Sequence, residues 1–166
     1  MTVTLREVTK EDLPMFFEHQ LDVEATRMAA FPSRDRDAFM AHWARIMSKE
    51  TNKTGILATI LADDTVAGNI VYWEAVGEPN IGYWLGRTHW GKGIASAALA
   101  QFLTKIEARP VYAHVAKHNI ASIRVLQKCG FQLGRENMCD SNDGEELVME
   151  LHSDRRATVA NKLTKT

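Results

Sequence analysis

Glycines are concentrated in the middle of the chain, where six of the ten lie between Gly68 and Gly93. The densest stretch, residues 86–93, reads Gly-Arg-Thr-His-Trp-Gly-Lys-Gly and separates a strand-like pattern from one with helical spacing. A glycine-rich turn from a strand into a helix exposes the first backbone N–H groups of the helix at the positive end of its dipole. Such a turn suits a phosphate or pyrophosphate group, although an ordinary tight turn would show the same spacing.

Two phosphate-binding motifs agree with this loop only in part. The P-loop pattern is matched up to Gly91-Lys92, but Gly93 stands where a serine or threonine would hold magnesium. The dinucleotide fingerprint begins at Gly91, but Ser96 replaces its third glycine and no acidic residue closes a strand–helix–strand unit. A nucleotide hydrolase that uses loop 86–93 is therefore the less favoured alternative.

A third pattern fits the loop better and extends to a second helix. Residues 90–99, Trp-Gly-Lys-Gly-Ile-Ala-Ser-Ala-Ala-Leu, resemble the pyrophosphate loop of the GNAT acetyltransferase superfamily. Residues 119–131 carry Asn-Ile-Ala-Ser, then Leu126 and Cys-Gly-Phe, and resemble that superfamily's Asn-x-x-Ser/Ala helix, which ends in Gly-Phe. With Tyr-Trp-Leu-Gly at residues 83–86, the chain looks most like the branch of RimJ/RimL-like ribosomal-protein-alanine acetyltransferases. The resemblance covers about residues 3–151.

The resemblance implies a binding site for acetyl-CoA as cosubstrate. The backbone from Gly91 to Ser96 would hold the pyrophosphate, and the strand end at Trp84-Leu85 would separate from its neighbour and pair with the pantetheine arm. Asn119 would hydrogen-bond the same arm. The implied cofactor-binding residues are Trp84, Leu85, Trp90, Gly91, Lys92, Gly93, Ile94, Ala95, Ser96, Asn119 and Ser122.

The catalytic assignment depends on where this chain departs from the superfamily. Many members carry a tyrosine acid seven residues after the asparagine, where this chain has Leu126, which cannot donate a proton. Ser122 is therefore the candidate acid near the thioester sulfur, with a serine bonded to nearby backbone as the alternative. Glu74, after the strand at 66–73, is the candidate base acting through water, and a solvated charge is its alternative. Trp90 also departs, since the loop often starts with Gln or Arg.

The function implied by the resemblance is acetyl transfer from acetyl-CoA to a primary amine, by direct attack in a ternary complex. The acceptor would be an amine-bearing small molecule or a protein N-terminal α-amine. A noncatalytic acetyl-CoA-binding module is the alternative, because the sequence secures neither the acid nor the base. A homodimer is left open.

The elements that must position these residues follow from the spacing of apolar side chains. The pattern predicts an α+β (α/β) domain with a single mixed, mostly antiparallel central sheet flanked by about four helices. Residues 22–33 show no clear period and are predicted to be irregular, and residues 78–80 are predicted to turn. The predicted strands are 3–8, 56–62, 66–73, 81–85, 111–115, 131–139 and 145–151. The predicted helices are 9–21, 35–49, one from about 95 that includes Ile106 and ends before Pro110, and 119–129.

Composition bounds the remaining classes of protein. The 166 residues, 45% hydrophobic and 25% charged, predict one domain over residues 1–152 and a frayed tail over 153–166. A formal charge of −1 gives no overall attraction to nucleic acid or to a membrane surface. We expect Cys129 and Cys139 to be free thiols, with no signal peptide, no membrane span and no metal site. We expect a cytoplasmic protein.

Overall fold

The computed structural model of the protein describes residues 1–136 and 146–153. Seven strands form one sheet: β1 Val3–Arg6, β2 Ile56–Ala62, β3 Thr65–Ala75, β4 Glu78–Leu85, β5 Val111–Ala116, β6 Gln132–Glu136 and β7 Glu146–Leu151. Their spatial order is β1-β2-β3-β4-β5-β7-β6, and every neighbouring pair is antiparallel except β4 and β5. The predicted mixed, mostly antiparallel sheet is confirmed.

Within the described residues, five α-helices pack around this sheet: α1 Leu13–Leu21, α2 Val23–Ala29, α3 Arg36–Met47, α4 Ile94–Leu103 and α5 Ile120–Lys128. On one face, Leu99 and Phe102 of α4 are fully buried in the cluster that contains Ile60 and Ile70 of the sheet. Fully burying one such side chain stabilises the fold by about 1.5–3 kcal/mol. Helices α1 and α3 form a second cluster, with the buried side chains Leu13, Phe16, Phe17, Phe39 and Trp43.

Helix α2 corrects the prediction that residues 22–33 are irregular. Asp22 caps this helix by accepting a hydrogen bond from the Ala25 backbone N–H at 3.0 Å, and Ala30, with a φ angle of 50°, ends it. The seven residues of α2 bury a single side chain, that of Ala25. The apolar period that identifies longer helices is therefore missing from this part of the sequence.

The turn between β3 and β4 lies earlier than predicted. It is formed by Val76 and Gly77, with φ angles of 52° and 74°, whereas residues 78–80 belong to β4. Proline is a common turn residue, but this turn needs two successive positive φ angles, which Val76 and Gly77 adopt and which proline cannot. As a consequence Glu74 lies inside β3, opposite Pro79, and not after the end of the strand as predicted.

The other differences concern the ends of elements. Helix α4 ends at Leu103, whereas the apolar period predicted a helix that includes Ile106 and ends before Pro110. Residues 137–139 of the predicted strand, Cys139 among them, and nearly all of the tail predicted to fray lie outside the described residues. That Cys129 and Cys139 are free thiols stays a prediction, because Cys139 lies outside the described residues. None of the helices in residues 1–136 and 146–153 combines the length and the apolar composition needed to cross a membrane.

Candidate functional site

Among the strands of residues 1–136 and 146–153, β4 and β5 are the one parallel pair, and they separate toward the C-terminal end of β4. The register between these two strands consists of one residue pair, Asn80 opposite Tyr112. On its other edge β4 stays paired with β3 as far as Leu85. The backbone groups of residues 81–85 that point toward β5 therefore have no partner in that strand, and an extended ligand could pair with them.

A close approach of β3 fixes the end of β4. A Cβ atom placed on Gly68 would lie 2.0 Å from the Trp84 carbonyl oxygen, so a larger residue requires the backbone to move. The Gly86 N–H donates a hydrogen bond to the Ala67 carbonyl at 2.9 Å just beyond the strand. The position of Trp84 and Leu85 is thus set by the neighbouring strand, not by β5.

The loop after β4 leads into the N-terminus of α4. Gly91 and Gly93 have φ angles of 70° and 77°, a conformation that glycine adopts without strain. A Cβ atom added to either residue would meet no heavy atom within 4 Å, so both face open space. The first N–H groups of α4 have no partner within the helix, and the exposed Lys92 adds positive charge. This arrangement fits a pyrophosphate group.

These elements line one open cleft with a cavity volume of about 190 Å³. Seven of the eleven predicted cofactor-binding residues line it, namely Trp84, Leu85, Trp90, Gly91, Ala95, Asn119 and Ser122. Helix α2 adds a wall that the sequence analysis missed, formed by Ala25, Met28 and Ala29. A hydrogen bond of 2.8 Å from the His118 Nε2–H to the Arg27 carbonyl links this helix to the chain before α5.

The other four predicted cofactor-binding residues do not line the cleft with their side chains. Ile94 is 1% exposed and belongs to the core, so it can reach a ligand only through its backbone N–H. The Ser96 carbonyl accepts a long hydrogen bond from the Cys129 thiol at 3.6 Å. Lys92 and Gly93 lie in the turn before α4, and their contribution would come from charge and backbone shape.

Trp90 closes the loop back onto β4. Its indole Nε1–H donates a hydrogen bond to the Leu85 carbonyl at 3.2 Å. That carbonyl is one of the groups predicted to pair with the pantetheine arm, and the indole takes one of its two acceptor positions. The aromatic residue that stands where the superfamily often has Gln or Arg thus supports the last residue of the strand.

The cleft contains a pair of hydroxyl groups that sequence analysis identified only in part. The Asn119 side chain caps α5 by accepting a hydrogen bond from the Ser122 N–H at 3.2 Å. The Ser122 hydroxyl lies 2.6 Å from the hydroxyl of Tyr83 on β4. Burial raises the pKa of Tyr83 to about 12, so the phenol stays protonated. The hydrogen bond with Ser122 acts to lower this pKa, and the nearby Cys129 acts to raise it. The alternation of Ile81, Tyr83 and Leu85 places these three side chains on one face of the sheet, but it does not identify the residue that Tyr83 contacts.

His19 of α1 lies against the end of β4. Its carbonyl accepts a weak hydrogen bond from the Trp84 indole at 3.4 Å, and a Cβ atom on Gly86 would lie 2.5 Å from its ring. Burial, and then the nearby His89, lower the pKa of His19 to about 4, so the imidazole is neutral near pH 7. Its buried Nδ1 atom has no hydrogen-bond partner among the described residues.

The structure does not bring Glu74 to Ser122. Glu74 does not line the cleft, and its carboxylate accepts a hydrogen bond from the Tyr72 hydroxyl at 3.1 Å. Its partner on β4 is Pro79, four residues before Tyr83, which corresponds to about 13 Å along the strand. The assignment of Glu74 as the base stays a prediction.

Residues 1–136 and 146–153 contain no group of three or more His, Cys, Asp or Glu side chains placed to hold a metal ion. His114 and His118, four residues apart in the sequence, have different partners. The His114 Nδ1 lies 3.2 Å from the Glu146 carboxylate, whereas His118 bonds the carbonyl of Arg27.

Comparisons with known proteins agree with this geometry. A family model described as acetyltransferase (GNAT) domain matches residues 2–132. The uncharacterized N-acetyltransferase p20 of Bacillus licheniformis is 29% identical over 141 residues, which cover 78% of this chain and 79% of that protein.

Solved structures share the fold at low sequence identity. The spermidine N-acetyltransferase of Vibrio cholerae, in complex with CoA and spermine, has a TM-score of 0.75 at 16% identity and covers 90% of this chain and 95% of its own. The aminoglycoside acetyltransferase AAC(6')-Ib, in complex with coenzyme A, has a TM-score of 0.72 at 16% identity, and the match covers 97% of this chain and 99% of that protein.

Proposed function

The chain belongs to the GNAT acetyltransferase family, and from that premise we propose that it transfers an acetyl group from acetyl-CoA to a primary amine. The observation that carries the proposal is the cleft in which the open edge of β4, the N-terminus of α4 and Ser122 meet. In the reaction the neutral amine attacks the thioester carbonyl, a C–N bond forms and the C–S bond breaks. The nitrogen loses one proton and the sulfur gains one.

Each part of the cleft has a proposed role in binding acetyl-CoA. The backbone N–H groups from Gly91 to Ser96 would bind the pyrophosphate, because they are unpaired donors at the positive end of a helix. The edge of β4 at Trp84 and Leu85 would pair with the amide groups of the pantetheine arm. Because Asn119 uses its side-chain oxygen as a cap, its NH₂ group is the part left for the arm.

Ser122 is the proposed proton donor to the departing sulfur. It lines the cleft on the first turn of α5, whose N-terminal dipole also favours a developing negative charge. The sequence suggested Glu74 as the base, and the pH profile of a Glu74→Gln variant tests that assignment, because this residue does not line the cleft. An α-amine with an ordinary pKa near 8 is partly neutral at pH 7, so its deprotonation needs no strong base.

The acceptor is proposed at the level of a class. One of the similar structures is a spermidine N-acetyltransferase in complex with CoA and spermine, and another is an aminoglycoside acetyltransferase. Both support an amine as the acceptor. The finer assignment to the RimJ/RimL-like branch, with a protein N-terminal α-amine as acceptor, rests on residues 83–86 and 90–93. Acetylation assays with spermidine, ribostamycin and a short peptide with a free N-terminus would distinguish the two kinds of acceptor.

A thermal melt with acetyl-CoA, CoA and Mg-ATP in parallel tests the cofactor. Ligand at 100 times its Kd adds about 2.7 kcal/mol, which raises the midpoint of a chain of this size by about 5–10 °C. We expect this rise with acetyl-CoA and CoA only. A rise with Mg-ATP alone would favour the nucleotide hydrolase, and CoA binding without transfer to any amine would favour a noncatalytic module.

Two glycines make this test specific to the loop. Gly91 and Gly77 have φ angles of 70° and 74°, and a Cβ atom on either would meet nothing within 4 Å. Gly91→Ala and Gly77→Ala should therefore cost a similar strain of about 1–2 kcal/mol. Only Gly91→Ala should also abolish the CoA-dependent rise, because its methyl group would occupy the proposed pyrophosphate site. An equal rise in both variants would remove the loop from the proposal.

A further inference from the structure

We propose that Tyr83 is a positioning residue, which holds the Ser122 hydroxyl so that its proton points into the cleft, toward the sulfur that leaves. The inference rests on the proposed function and assigns to Tyr83 a task that the sequence pattern does not reveal. In the sequence this tyrosine is one of several aromatic residues on strands, whereas in the structure its hydroxyl group is the nearest partner of the Ser122 hydroxyl.

Either hydroxyl of the pair can donate across this contact, and the inference assigns the donor role to the phenol, which is the more acidic of the two. The Tyr83 oxygen lies 2.6 Å from the Ser122 Oγ and 3.3 Å from the Ser122 carbonyl oxygen. A hydrogen bond between two oxygens is favourable at about 2.5–3.0 Å, so the single phenolic proton goes to the Oγ atom. The serine cannot donate back along the same line. Its own proton is therefore free to point into the cleft that it lines.

The phenol acts as a fixed donor and does not supply the proton that is transferred. Because burial keeps its pKa near 12, Tyr83 stays protonated over the range in which amines are acetylated. When the C–S bond breaks, the Ser122 proton moves to the sulfur, and the Tyr83 hydrogen bond stabilises the negative charge that develops on Oγ. The proton lost by the attacking nitrogen then restores the serine, so the proton count balances.

The pair also connects two walls of the cleft. Tyr83 is held on β4 opposite Ile70 of β3, and Ser122 is held by the Asn119 cap at the start of α5. Removing the hydroxyl could thus act through structure alone, and a matched control is required. Tyr72 provides it, because it is a buried tyrosine on β3 whose hydroxyl bonds the Glu74 carboxylate outside the cleft.

The first experiment needs no acceptor. The pKa of the thiol of bound CoA is measured from the ultraviolet absorbance of its thiolate, with bound S-methyl-CoA as the blank. A hydrogen bond to the thiolate lowers this pKa, so Ser122→Ala should raise it by about one unit. Tyr83→Phe should raise it by a part of that shift, the double variant no further than Ser122→Ala, and Tyr72→Phe not at all. A thiol pKa unchanged in Tyr83→Phe would overturn the inference.

The second experiment uses steady-state kinetics with whichever amine the chain acetylates. Tyr83→Phe should lower kcat by about tenfold and leave the KM for acetyl-CoA unchanged, and its effect should vanish in the Ser122→Ala background. Additive losses would show that Tyr83 acts independently of Ser122 and would overturn the inference while acetyl transfer stands. A chain that binds CoA and acetylates no amine would overturn the proposed function, and the thiol pKa would still decide the role of Tyr83.

Discussion

Two polar regions of this molecule use their hydrogen-bonding groups in opposite ways. At the corner between β1 and α1, the Asp12 carboxylate is 3% exposed and accepts two hydrogen bonds of 2.7 Å from Arg6. It also accepts one from the Thr9 N–H at 2.9 Å and one from the Thr59 hydroxyl at 2.7 Å. In the cleft, by contrast, the N–H groups at the start of α4 and one edge of β4 are left without such partners.

The difference indicates what each region contributes. A buried polar group stabilises a fold only when its partners are present, and the Asp12 corner meets that condition with partners from three parts of the chain. The cleft leaves donors open and separates two strands, which lowers stability and leaves a site that a ligand can complete. Substitutions at Asp12 should therefore change stability and spare ligand binding, while substitutions around the cleft should affect binding directly.

The largest expected effect is a loss of stability on substitution of Asp12, at the corner between β1 and α1. Asp12→Ala leaves the Thr59 hydroxyl buried without its partner and removes the ion pair of Arg6, and should destabilise the fold by about 3 kcal/mol. Urea unfolding measures this loss. Asp35→Ala, which removes an exposed cap of α3, is the matched control and should cost less. A folded Asp12→Ala protein with strongly weakened CoA binding would contradict the division between the two regions.

The same carboxylate predicts how stability depends on pH. Burial acts to raise the pKa of Asp12, but the hydrogen bonds from Arg6, Thr9 and Thr59 outweigh it and lower the pKa from 3.8 to about 2. The pKa of Asp12 is lower in the folded state than in the unfolded state, so the ionised carboxylate stabilises the fold by about 2 kcal/mol. This stabilisation is present above pH ~4 and is lost as the pH falls through about 2. Urea unfolding of wild type and Asp12→Asn between these limits should converge at the acid end, and a constant difference would refute the assignment.

The next effect concerns the strand that forms the wall of the cleft. Gly68→Ala would place a methyl group against the Trp84 carbonyl, so β3 and β4 must move apart at a cost of about 2 kcal/mol. The displaced β4 edge should also bind CoA more weakly, which calorimetry measures. Gly82→Ala is the control, because its Cβ would meet only the Trp73 ring, at 3.3 Å, and that ring is partly exposed. Equal losses of CoA affinity in both variants would count against this view of the strand end.

The Asn119 side chain combines a group with a partner and a group without one: its oxygen caps α5, and its NH₂ group is left for the ligand. Asn119→Ala removes the cap of α5, at about 1 kcal/mol, and the NH₂ group proposed to bind the pantetheine arm. Asn119→Ser keeps a capping oxygen and removes the NH₂ group. Both variants should lose CoA affinity in calorimetry, but only Asn119→Ala should melt at a lower temperature. If Asn119→Ser bound CoA as well as wild type, the asparagine would serve the helix alone.

The sequence-based candidates that line the cleft have signals that are local in the chain. The glycines of loop 86–93 and the asparagine before α5 are adjacent to the elements they begin, so the family resemblance that identified them rests on short stretches of sequence. The contact between Tyr83 and Ser122 joins residues 39 positions apart, and no local pattern reports such a pairing. Helix α2 was missed for a related reason, since a short helix with one buried residue has no period of its own.

The turn between β3 and β4 shows how one boundary changes a functional assignment. The sequence analysis predicted a turn at residues 78–80 that includes Pro79, and it placed the candidate base Glu74 just past the strand at 66–73. In the structure Pro79 belongs to β4 and Gly77 forms the turn, so Glu74 lies beside the far end of β4 from Leu85. The fold class was insensitive to this shift, because the three-stranded meander is the same with either turn.

Glu74 therefore gives the smallest expected effect and the sharpest contrast with Ser122. A base that removes the amine proton contributes about 100-fold or more to the rate, whereas an exposed carboxylate away from the cleft contributes under about twofold. Its place opposite Pro79, about 13 Å along β4 from Tyr83, favours the second value, so Glu74→Gln should leave kcat and the pH profile of kcat/KM unchanged. A profile whose acid limb disappears in Glu74→Gln would restore the base assignment. It would also require the acceptor to approach the thioester from the side of the sheet where β3 and β4 turn.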